Sequence, residues 1–230
     1  MIVISAYNKI AVLEKLLNSL NSTENLDEKV LVVSTDHREV GFVDYLKSID
    51  KTKYNYDLDV DFSPLVGYEP GAIIHAYKNH VDDYYIFLQD SLTVINPQWL
   101  NIFKSHRKKG TINAWAWFNN SLWDNNLQSN WVFSRMGGKK EDFIAPEFCI
   151  FGNIFQSSRD DLNKINEKYN LDKFIENNKV LCSCGMERGW AYLAKNSGVE
   201  LDYVFGRYED VCQGLINNKT LFKKEFLHRN

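Results

Sequence analysis

Ile2-Val3-Ile4-Ser5-Ala6-Tyr7-Asn8 opens the chain, leucines follow at positions 13, 16, 17 and 20, and Val30-Leu31-Val32-Val33-Ser34-Thr35-Asp36 completes the unit. A short apolar run stopped by polar turn residues fits a strand buried on both faces, and leucines three and four apart mark one face of a helix. Strand, helix, strand is the unit of a parallel sheet, because parallel neighbours must be joined by a crossover.

The alternation continues to about residue 100. Val40 to Ile49 reads as a second helix, and Val60 and Phe62 mark a third strand. Gly67-Tyr68-Glu69-Pro70-Gly71 breaks the chain, a helix runs from Ala72 to about Asn79, and Tyr84 to Leu88 forms a fourth strand ending at Gln89-Asp90-Ser91. The fold class expected is α/β, with a mostly parallel central sheet flanked by helices and a smaller mixed region. Ligands of such sheets bind outside the carboxyl ends of the strands. Ala6 to Asn8, Ser34 to Asp36 and Gln89 to Ser91 are therefore expected to share one cleft. Further on, Phe148 to Phe155 resembles a late strand, Arg159 to Tyr169 a helix, and Glu187 to Asn196 another helix closed by Gly198. No composition break or internal repeat divides the chain, so residues 1–230 are expected to form a single domain.

Composition excludes whole classes. With 230 residues, 44% of them hydrophobic and 25% charged, the chain is neither disordered, collagenous nor a coiled coil. A net charge of -3 and a pI near 6.0 give no basic footprint for nucleic acid or an anionic membrane. Apolar runs are strand-sized, so no integral membrane segment is expected. Met1 leads straight into Ile2 with neither a basic leader nor a cleavage site, and a cytoplasmic location is expected. Cys149, Cys182, Cys184 and Cys212 lack the paired spacing of a zinc site and read as reduced thiols. Aromatics are the one excess: Trp99, Trp115, Trp117, Trp123 and Trp131, five of six tryptophans, fall in one short stretch.

Dinucleotide-binding G-x-G-x-x-G, Walker A, G-x-S-x-G and H-E-x-x-H motifs do not occur. What does occur, in order, is Ser5-Ala6-Tyr7-Asn8, Ser34-Thr35-Asp36, Gly71-Ala72 through Ala76-Tyr77-Lys78-Asn79, Gln89-Asp90-Ser91 with Asn96-Pro97-Gln98-Trp99-Leu100, and Met186-Glu187-Arg188 before Gly198. This succession resembles the GT-A fold glycosyltransferases, most closely the inverting family 2 type, closely over residues 1 to 100 and loosely over 147 to 200. The resemblance implies a nucleotide-sugar half at 1–100 and an acceptor half at 101–230. It places Ala6, Tyr7 and Asn8 beside the nucleotide, Asp36 at the base or ribose, Gly71 under the donor, and Gln89 and Asp90 at the family's D-x-D position. Both outer aspartates of that motif are replaced here. Mn²⁺ or Mg²⁺ at Asp90 is the implied cofactor, since such an ion draws much of its coordination from diphosphate and water. Implied partners are a nucleoside-diphosphate sugar, a UDP-sugar first, and a glycan or glycoconjugate acceptor.

Inverting transfer needs a carboxylate to take the acceptor proton. Glu187 matches the family's base position, although a carboxylate at a helix N-terminus also has a purely electrostatic explanation. Trp115, Trp117, Asn119, Asn120 and Trp123 have the composition of a sugar platform, with core packing the plainer alternative; Trp99 reads as core. A solvated turn residue is the plainer alternative for Asp90, and its place at a strand's carboxyl end favours the site. Arg135, Lys139 and Lys140 could hold phosphates or merely face solvent, and His228 could be a late metal ligand or a tail residue. Three other functions remain open: a catalytically inactive GT-A-like glycan- or nucleotide-binding domain, a sugar-nucleotide nucleotidyltransferase, and a purely structural surface protein.

Overall fold

The apolar runs form the strands expected of them. The computed structural model describes residues 1–35, 39–119, 127–207 and 220–224. β1 (Ile2–Ala6), β2 (Val30–Ser34), β3 (Leu58–Phe62) and β4 (Tyr84–Gln89) are joined by α1 (Ile10–Leu20), α2 (Val40–Lys47) and α3 (Tyr68–Asn79). These four strands are parallel in the order β3-β2-β1-β4. After the short β5 (Leu92–Val94) and α4 (Trp99–Ser105) come the long β6 (Thr111–Asn119), α5 (Leu127–Met136), β7 (Phe148–Ile150), β8 (Phe155–Ser158), α6 (Arg159–Tyr169), α7 (Gly185–Asn196), β9 (Glu200–Arg207) and β10 (Phe222–Lys224). β8 joins β4 antiparallel, β6 pairs antiparallel with β7 and β8, and β9 runs parallel to β6. The result is an eight-stranded mixed sheet, parallel through its first half.

Both faces are covered, which is why the strands read as continuous apolar runs. Alternation assigns Ile2, Ile4, Val30, Val32, Ile86 and Leu88 to one core, packed with the α1 leucines, Trp99, Phe103 and Trp115. Val3, Leu31, Val33, Tyr85 and Phe87 face the other core, against α3 and α5 to α7. Each fully buried Leu or Ile contributes about 1.5–3 kcal/mol relative to exposure.

Two expectations change. α3 begins at Tyr68, not Ala72, because Pro70 falls within the first turn, where a missing N–H costs nothing. The late strand divides into β7 and β8, separated by a tight turn in which Gly152 adopts φ 66°.

No helix among the described residues is long and apolar enough to cross a membrane.

Candidate active site

The carboxyl ends of β1 and β4 meet. The Tyr7 N–H donates to Asp90 Oδ2 at 3.1 Å, and the Asp90 N–H donates to the Ser5 carbonyl at 3.1 Å. Adjacent parallel strands thus hold the carboxylate at the sheet's carboxyl edge. Next to it, Gln89 is buried and its Nε2 donates to Glu69 Oε1 at 2.9 Å. Glu69 lies in the first turn of α3, and its second carboxylate oxygen is buried with no hydrogen-bond donor. Ala6 is fully buried as the last residue of β1, while Tyr7 and Asn8 are half-buried just beyond it. The Tyr7 ring lies 5.1 Å from that of Tyr68, with the Lys179 ammonium 5.5 Å from the Tyr7 ring and 5.7 Å from the Tyr68 ring.

Glu187 reaches the same region from α7. Its Oε1 accepts from the Gly152 N–H at 3.1 Å, and a Cβ at Gly152 would lie 3.3 Å from Gln89 Oε1, so this glycine touches both groups. The helix-terminus explanation for Glu187 does not hold. A π-helical segment, Val180–Cys184, runs directly into α7, so Glu187 sits inside a continuous helical stretch. π-turns of this kind recur at functional sites.

The electrostatics follow from enclosure. Burial is the main reason that the Glu187 carboxyl is pushed up to about 7, with Glu69 adding to the rise and Lys224, Arg188 and the Gly152 amide opposing it. Burial likewise pushes Asp90 up to about 6, assisted by Glu69 and opposed chiefly by the Tyr7 amide and Lys224. A base poised near neutrality is suited to proton abstraction.

Lys224 is the member that the sequence did not announce. β10 pairs antiparallel with β5 so that Lys224 faces Leu92, which brings its ammonium onto Gln89 Oε1 and within 3.4 Å of Ser91 Oγ. Burial lowers its pKa, against the fields of Glu69, Glu187 and Asp90, which favour the ammonium form. Glu69 and Gly152 were also missed. Glu69 lay in what read as a chain break, and Gly152 lay inside what read as one strand. For Lys224 the sequence carries no signal beyond a basic pair after Phe222.

The expected Mn²⁺ or Mg²⁺ fits this donor set poorly. One oxygen of Asp90 is engaged by the Tyr7 amide and one oxygen of Glu69 has no donor, but the neighbouring oxygens of Gln89 and Ser91 face the Lys224 ammonium. A hard divalent ion seeks oxygen ligands and would be placed against a like charge.

The remaining predicted residues are dispersed. Gly71 sits in α3, where a Cβ would lie 3.2 Å from the Leu65 carbonyl and 3.5 Å from Thr35 Cγ2; its missing side chain admits protein. Trp115 is a core residue and not a platform: it is fully buried, with ring centroids 5.5 Å from Phe222 and 6.2 Å from Phe151. The register between β6 and β9 shifts beyond Ala114, which faces Tyr203 while Ala116 faces Gly206, so the extra residue lies in β9. Trp117 is half-buried between Phe148 and Tyr203, with the Arg207 guanidinium 5.0 Å from its ring. Asn119 is exposed at the end of β6. Asp36, Asn120, Trp123, Cys212 and His228 lie outside the described residues. Cys149 and Cys182 are buried thiols, each pushed up to about 12 chiefly by burial, and Cys184 is a half-buried thiol. A separate cluster stands behind β3, where Asp61 Oδ2 lies 2.7 Å from Nε2 of both His75 and His80.

No protein-family model matches the chain, and no curated protein matches it. Among solved structures, it is similar to S. aureus TarS, with TM-score 0.45 and 14% identity, covering 94% of this chain and 39% of that one. It is also similar to TarS 1-349, with TM-score 0.42, 13% identity and coverage of 88% and 56%. A third similar structure is TarS 1-349 in complex with UDP-GlcNAc, with TM-score 0.43, 13% identity and coverage of 80% and 53%. The chain therefore spans between two fifths and just over half of these chains' length.

Proposed function

We propose that this chain is a glycosyltransferase that moves a sugar from a nucleoside-diphosphate donor, a UDP-sugar first, to a hydroxyl of a glycan or glycoconjugate, with inversion. The observation that carries the reading is the convergence of Glu187 on the β1–β4 edge, where burial leaves its carboxyl near 7. A carboxylate in a solvated turn or at a helix terminus would keep a low pKa. A domain that only binds glycan has no use for a poised base beside the strand ends.

In this reading the donor lies across the ends of β1 and β4, with Tyr7 and Asn8 at the nucleotide. The acceptor oxygen attacks the anomeric carbon from the face opposite the diphosphate, the carbon–oxygen bond to the diphosphate breaks, and its electron pair leaves with the phosphate oxygen. Glu187 takes the hydroxyl proton as the new glycosidic bond forms. Gly152 positions that carboxylate through its amide. Trp117 and Asn119 remain the described members of the acceptor surface.

Glu187→Gln keeps the size of the side chain and its bond from Gly152 while removing the base. The expected result is a fall in kcat of about 10²–10⁴-fold, with donor affinity within about threefold of wild type. Transfer from a panel of nucleotide sugars, measured with titration calorimetry of the donors, checks this. Equal loss of turnover and binding would make Glu187 a structural residue.

A further inference from the structure

A transferase of this kind needs positive charge where the diphosphate leaves, and the donor set around Asp90 suits a divalent ion poorly. We propose that the Lys224 ammonium takes the place of that ion, binding the donor diphosphate and neutralising the charge that develops on it as the sugar departs.

The placement is built into the fold. β10 delivers Lys224 beside Ser91, in register with Leu92, and Phe222 anchors the strand two residues earlier. The Phe222 ring is fully buried, 5.0 Å from Trp99, 6.2 Å from Phe103 and 5.5 Å from Trp115. The strand is therefore fixed, while the four-carbon stem of the lysine leaves its ammonium free to move from Gln89 Oε1 to a phosphate oxygen. In the absence of donor the charge is held by Gln89, Ser91 and the fields of Glu69, Asp90 and Glu187. Lys179, at the Tyr7–Tyr68 ring pair, lies on the same side of the site and also acts on Asp90. Two ammonium groups supply the charge of one divalent ion. A preorganised cation in a partly desolvated site stabilises a departing diphosphate far more than the same charge in water would.

This inference rests on the transferase reading, and the experiment separates the two. Binding of UDP, GDP, CDP and ADP is measured by calorimetry for wild type, K224M and K224R, in EDTA and with Mn²⁺. At least one nucleoside diphosphate is expected to bind wild type equally well, within about threefold, in EDTA and in Mn²⁺. K224M is expected to lose about 30-fold or more of that affinity, and K224R to stay within about fivefold of wild type, since it restores the charge. Wild-type binding that disappears in EDTA would overturn the role of Lys224 and leave the transferase standing. K224M binding as tightly as wild type would overturn it too. Failure of all four nucleotides, with and without Mn²⁺, would overturn the transferase and Lys224 together.

Discussion

Glu187 and Asp90 are both acidic residues at one site, and enclosure raises both, to about 7 and about 6. For catalysis the consequence lies on the acid side. The base must be ionised to accept a proton, so kcat/KM is expected to fall about tenfold per pH unit below about 7, the limb that reports the unliganded protein's base. A profile that stays flat to about pH 5 would assign proton transfer to another group. Asp90 was legible from its place after an apolar run, whereas Glu187 was marked by the resemblance of Met186-Glu187-Arg188 to a family's base position. Residue identity gave no indication that Trp115 would be fully buried, because tryptophan beside asparagine is as compatible with a core strand as with a sugar platform. Which rings face inward was decided by partners distant in sequence, above all Phe222.

At the level of elements, regular periodicity was legible and irregular geometry was not. The crossover helices and parallel strands of the first hundred residues follow from leucine spacing and apolar runs. The turn at Gly152, the bulge in β9 and the π-helical lead into α7 have no such repeat, and the first and last of these position Glu187. β10 is the extreme case, three residues long and defined wholly by its pairing with β5. Its attachment can be loosened without touching the site. Phe222→Ala removes a ring packed among Trp99, Phe103 and Trp115, a change that costs about 3–5 kcal/mol in a rigid core. The expected outcome is a lower melting temperature together with weakened nucleoside diphosphate binding at temperatures where the sheet remains folded. Unchanged binding in a variant that melts early would show that β10 is not what places Lys224.

For the whole molecule, two opposed sets of carboxylates shape stability against pH. Glu28 is half-buried yet held down to about 2 by the terminal ammonium and Arg107, and Asp61 is held down to about 2, against its partial burial, chiefly by His75 and His80. These native carboxylates bind protons less readily than unfolded ones, so their stabilisation is complete above about pH 4–5 and is lost as pH falls toward 2. Asp90 and Glu187 act in the opposite sense. Raised in the fold, they bind protons that the unfolded chain has released, so stability falls as pH rises from about 4 to about 7. The ligand-free protein is expected to melt highest near about pH 4–5, with a decline on both sides, as thermal unfolding across a pH series would show. Melting that rises steadily from about pH 5 to about 7 would contradict the raised pair.

The distance along the chain between Lys224 and the rest of its site has a consequence for biosynthesis. Every strand of the eight-stranded sheet, together with Asp90 and Glu187, is complete in the nascent chain by residue 207, whereas β10 follows only at 222. The core that holds Trp99, Phe103 and Trp115 takes Leu221 and Phe222 from this late segment, so it is completed only when β10 docks. The same docking brings the Lys224 ammonium to the three carboxylates at that edge, so completion of one core and competence for an anionic ligand come in a single event.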